Sequence, residues 1–225
     1  MTFKQLFTSS IGKKFTMGLT GLFLISFLVI HCTVNSMIFF NDNGEMFNYY
    51  AHFMSHNYIV RFLEIGLFAG LITHIIQGLS LWQQNNAARP VKYAVNAAST
   101  NSKWYSRSMG LLGTLLLFFL ILHVSKFFVG TKVALYANGG ENDASHNLFE
   151  EMKEYFQQLW VVIAYMAGVI SLFWHLLHGF PSAFQTLGIN HKKYIPIIKC
   201  AGIGFSVIVC LLFALMPLAF YLGWI

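Results

Sequence analysis

Nine histidines in a chain of 225 residues outnumber the eight acids, and four of them, His31, His74, His123 and His175, fall inside long apolar stretches. An imidazole placed in hydrocarbon is costly, and in membrane helices it usually marks a cofactor, an ion or a proton path. A repeat frames these four. Met17-Gly18-Leu19-Thr20-Gly21 runs on to His31, and Met109-Gly110-Leu111-Leu112-Gly113 runs on to His123, with eight of fifteen positions identical from the Met to the His. Richness in Leu and Phe does not put two glycines and a histidine in register. His74 and His175 share a shorter pattern, His-x-x-x-Gly, ending at Gly78 and Gly179. A unit holding two histidines therefore recurs in the same orientation.

The elements that position them are membrane helices. The hydrophobic class makes up 56% of the chain and the charged class 10%, against about 25% charged in soluble domains, which excludes a water-soluble globule. Runs of about 20 apolar residues cross a hydrocarbon core as helices. Five such runs, approximately 15–40, 58–82, 109–129, 159–180 and 201–224, predict an all-α bundle with one transmembrane domain over residues 1–225. The first run is too long for a signal-peptide core and lacks a small-x-small cleavage site, so it reads as a retained helix.

Lys and Arg near span ends stay on the cytoplasmic side. Placing the amino terminus inside gathers Lys4, Lys13, Lys14, Arg89, Lys92, Lys103, Arg107, Lys192, Lys193 and Lys199 there, ten positives with no acid. The other side takes seven acids, among them Asp42, Glu45, Glu141 and Asp143, and Lys126 is expected to snorkel toward it. The stretch from Tyr136 to Glu154, with Leu148, Met152, Tyr155 and Phe156 among acids, is expected to be partly helical and to lie on the outer surface. The basic loops need no nucleic acid to explain them, though the same face suits an acidic partner protein.

Depth pairs the histidines. His31 and His123 lie past the middle of their runs toward the outside and His74 and His175 toward the inside, so the two levels are roughly 12 Å apart at 1.5 Å per residue. Two neutral imidazoles facing across an apolar gap, with no Cys, Asp or Glu at their level, suit the axial positions of a haem iron better than a zinc or carboxylate-rich site. Filling both axial positions favours electron transfer over oxygen binding. Gly78 and Gly179, one turn beyond their histidines, would admit a flat macrocycle, and Gly21 and Gly113 thin the first and third spans near the inner level. Glycine-mediated helix packing with interhelical histidine hydrogen bonds is the alternative account.

His178 lies three residues from His175 on a similar face and is the substitute inner ligand, or a propionate or quinone contact. His52, His56, His146 and His191 are expected in solvated loops. Cys32, Cys200 and Cys210 form no Cys-x-x-Cys, which argues against a disulfide scaffold, a zinc ribbon or covalently attached haem. Without a dinucleotide glycine motif or cluster-spaced cysteines, the chain carries neither a flavin nor an iron-sulfur cluster.

These residues resemble the single-chain, di-haem cytochrome b558 membrane anchor of succinate dehydrogenases and fumarate reductases. The resemblance covers the five spans, the histidine on each of the first four, and the stretch His178-Gly179-Phe180-Pro181-Ser182-Ala183-Phe184-Gln185-Thr186-Leu187-Gly188. It implies that His31 and His123 ligate the outer haem b and His74 and His175 the inner one. Members place the fourth ligand either at the His-x-x-x-Gly position or directly before the Gly, and this sequence has a histidine at both. The resemblance further implies a multi-pass protein of the bacterial cytoplasmic membrane that docks a flavoprotein and an iron-sulfur subunit on its basic face. Electrons from succinate then pass through two haems to a quinone, commonly menaquinone; the chain itself does no succinate chemistry.

Glu64, an acid inside the second span, lies ten residues before His74 near the outer level, and its repeat equivalent is Tyr165. A carboxyl and a phenol there could exchange protons with a quinol, or Arg61, one turn away, could simply pair with the acid. Gln77, Trp104 and Arg107 are candidates for a site near the inner haem. Two other readings compete: the cytochrome b anchor of a hydrogenase or formate dehydrogenase, and a haem-free membrane transporter or scaffold whose His and Glu conduct protons.

Overall fold

A computed structural model describes residues 2–88, 100, 102–133 and 147–225. Arg89, Lys92, Glu141, Asp143 and His146 lie outside the described residues, as does the first part of the expected surface helix. The described residues form helices and no strand, and five helices are long and apolar enough to cross a membrane: Ser10–Phe39, Tyr58–Ala87, Met109–Val133, Leu159–Thr186 and Tyr194–Tyr221. They are called the first to fifth spans below.

Each of these helices extends past its apolar stretch at one end, because a helix keeps satisfying its own backbone after its side chains turn polar. Ser9 caps the first span by accepting from the Gly12 amide at 3.0 Å. Asn57 does the same for the second, accepting from Ile59 and Val60. Residue 181 was expected to open a loop, but the fourth span continues through Pro181 to Thr186. A proline removes one N–H and adds one clash, which a long helix packed against neighbours absorbs.

Glycine ends both of the last two spans. Gly188 (φ +92°) and Gly223 (φ +68°) follow the helix caps, with Ile189 N–H donating to Phe184 at 3.1 Å and Trp224 N–H to Ala219 at 2.9 Å. Such reverse bonds satisfy carbonyls that a helix end leaves unpaired. The fifth span accordingly starts at Tyr194 and stops at Tyr221, earlier at both ends than its apolar run.

Two short helices line the end of the bundle where the second and fourth spans begin. Glu45–His56 was expected to be loop, and it places His52 and His56 one turn apart with their rings stacked at 3.9 Å. Leu148–Phe156 buries Phe149, Met152 and Phe156 in a cluster with Ile38, Phe47, Val161, Tyr165 and Phe220, so it is part of the core and not a surface appendage. Asn48 ties the two together, donating to the Asn147 side chain at 2.8 Å and accepting from the Phe149 amide at 3.1 Å. Lys126 does not run free: its ammonium meets Glu151 at 2.6 Å and lies over the Tyr155 ring.

At the opposite end the short helix Phe3–Thr8 folds back on the first span, and Gly12 sits so close to the Gln5 and Leu6 carbonyls that a side chain there has no room. Lys13, expected in a basic tail, is buried, with its ammonium donating to Ser80 at 3.1 Å. His191 lies in the exposed turn before the fifth span.

Candidate haem sites

Each of the first four spans brings one histidine to a pair. His31 and His123 have ring centroids 5.7 Å apart with planes crossed at 90°, and His74 and His175 are 6.3 Å apart at 62°. His178, one turn on from His175, is half-buried and is not the ring that faces His74. Both rings of the outer pair stack on a phenylalanine one turn earlier in their own helix: Phe27 under His31 at 5.2 Å and Phe119 under His123 at 5.6 Å.

Their crossed planes exclude face-to-face stacking within either pair. Two metal–imidazole bonds of about 2.0–2.1 Å put the nitrogens about 4 Å apart, so with the ring radii one ion fits the 6.3 Å of the inner pair, and the 5.7 Å of the outer pair is shorter by a fraction of an ångström. Among the described residues no three His, Cys, Asp or Glu side chains converge on a point. An ion held here would have only two protein ligands, so the remaining positions must come with it, as in a metallated macrocycle. Haem fits this donor set and tetrahedral zinc does not.

The four Nδ1 atoms are partnered unequally. The Thr20 hydroxyl lies 3.1 Å from His74 Nδ1 and the Tyr165 hydroxyl 3.2 Å from His123 Nδ1. Asn35 passes 3.4 Å from His31 Nδ1 while donating to the His31 carbonyl at 2.8 Å. His175 Nδ1 is buried with no hydrogen-bond partner. Tyr165 was singled out as the repeat equivalent of Glu64, whereas Thr20 was missed. The available signal was that Thr20 is the polar residue where the other copy of the repeat has Leu112.

The glycines divide. A Cβ on Gly113 would meet nothing within 4 Å, and one on Gly179 only the edge of its own span's His175 at 4.0 Å. Gly21 faces His74 at 3.6 Å, so the first span is thin at that ring. A Cβ on Gly78 would meet the end of Met17 at 3.7 Å, an ordinary contact.

Glu64 pairs with Arg61 at 3.3 Å within its own helix, and both side chains are about a quarter exposed (24% and 29%). Gln77 is buried and its amide nitrogen approaches the Phe7 carbonyl at 3.4 Å. Trp104 and Tyr105 pack on Trp174, next to His175, at 4.8 and 5.5 Å. Arg107 is held by Ser102. No family model, curated protein or solved structure matches the chain.

Proposed function

We propose that this chain is the di-haem cytochrome b anchor of a succinate:quinone oxidoreductase, and that it relays electrons between an iron-sulfur partner and a membrane quinone. The observation that carries the reading is the two half-buried imidazole pairs, 5.7 and 6.3 Å across, on which no other ligating side chain converges among the described residues. His31 and His123 would hold one haem and His74 and His175 the other, and bound there the group would supply a one-electron centre. The protein's part is to fix the rings, with Phe27 stacked on His31 and Phe119 on His123. The basic end, with Lys14, Lys103, Lys192 and Lys193, is the docking face for the flavoprotein and iron-sulfur subunits. Glu64 exchanges protons with the quinol near the outer site, releasing Arg61 as it does so.

The reading is tested by a pyridine haemochrome assay on purified protein quantified in the same sample. Two haems b per chain are expected, falling to one in His175→Ala and staying at two in His178→Ala. No haem would replace the reading with a transporter or scaffold; the reverse result in the two variants would move the fourth ligand to His178.

A further inference from the structure

The second ligating span and the fourth ligating span occupy equivalent places in the sequence repeat, yet their histidines have different partners. His74 faces Thr20, whose only proton is already donated to the Thr16 carbonyl at 2.7 Å, so toward the ring its oxygen can only accept. The equivalent position in the other copy is Leu112, buried and without a hydroxyl, and His175 Nδ1 is the buried ring nitrogen that has no partner. At the outer level the inequality recurs. His123 Nδ1 meets the phenol of Tyr165, itself buried, while His31 has only the Asn35 amide, a donor already bonded to a carbonyl.

A ring that binds a metal through Nε2 carries its proton on Nδ1, and an acceptor there fixes the tautomer and makes the ring a stronger base. A more basic ligand stabilises the ferric ion over the ferrous one. We propose that Thr20 is a positioning residue: it accepts the Nδ1 proton of His74 and so lowers the reduction potential of the inner site. The repeat's loss of a hydroxyl at Leu112 leaves His175 the weaker ligand of the inner pair. The hydroxyls are also crossed between sites, since the first span carries His31 for one site and Thr20 for the other, and the fourth carries His175 and Tyr165 in the same way. This inference rests on the haem reading.

The test is an optical redox titration of the purified full-length chain carrying its haems, which resolves two midpoint potentials without a turnover assay. Tyr165→Phe, which removes a hydroxyl at the outer pair only, should leave the inner potential unchanged. Thr20→Val should raise the inner potential alone, and Thr20→Ser should restore it. A tenfold change in ferric-to-ferrous preference reads as about 59 mV for a one-electron couple. Leu112→Thr, which offers His175 an acceptor, should lower the inner potential. An unchanged inner potential in Thr20→Val with both haems bound would overturn this inference and leave the haem reading standing. So would equal shifts in Thr20→Val and Thr20→Ser, which would reflect packing. Absence of haem from the unsubstituted protein would overturn both.

Discussion

At the scale of single residues, intramembrane polarity is concentrated in a few positions, each of which needs a partner. Thr20 and Tyr165 meet imidazoles, Ser171 donates to the Leu112 carbonyl at 2.9 Å, and Glu64 holds Arg61 at 3.3 Å. An ion pair that is partly exposed contributes little to stability, about 0–1 kcal/mol, so Glu64 can be changed without unfolding the second span. In Glu64→Gln, quinone reduction by the assembled complex should be largely lost while both haems and the melting temperature are retained. Unchanged quinone kinetics would reduce Glu64 to the structural partner of Arg61.

At the scale of elements, the contact between the third and fourth spans is set by a glycine. A Cβ on Gly168 would come within 2.5 Å of the Phe119 ring, and Phe119 stacks on His123. A rigid ring under a histidine cannot step aside without taking the histidine with it, so Gly168→Ala is an overpacking change next to a candidate ligand. Overpacking typically costs about 1–3 kcal/mol. The variant should lose its outer-site haem preferentially and melt earlier in detergent, as read by haem content and thermal denaturation of the same sample. Gly113→Ala, where the added methyl meets nothing within 4 Å, is the control expected to fold normally.

At the scale of the molecule, five spans put the termini on opposite faces, and charge assigns the faces. The described basic end carries Lys14, Lys103, Lys192, Lys193 and Lys199, while Asp42, Glu45, Glu150, Glu151 and Glu154 collect at the other. The positive-inside rule predicts that the turn at Lys192 faces the cytoplasm. In a variant with its native cysteines replaced, Lys192→Cys should react with a membrane-impermeant maleimide in inverted vesicles and not in intact cells. Labelling of intact cells would invert the topology and remove the basic end as a docking face for cytoplasmic subunits.

Composition and period by themselves determined the class of this protein. Charged residues at 10% and five apolar runs leave helices as the elements, because only a helix satisfies its backbone within one segment in lipid. The Met-to-His repeat likewise put four imidazoles in two pairs of depths, since depth along a helix is a matter of counting residues. Rotation about the helix axis is not. Which ring faces which, that Thr20 reaches His74, that Tyr165 reaches His123 and that His175 Nδ1 meets no partner depend on how distant stretches of the chain pack, up to the 101 residues that separate His74 from His175. The helix at Glu45–His56 and the burial of Leu148–Phe156 were hidden for a related reason. Their apolar residues are few and interspersed with polar ones, and the ends of the first, third, fourth and fifth spans supply the surface that makes them core. Hydropathy is local and fixes where a helix lies, whereas tertiary packing decides which of its sides does the chemistry.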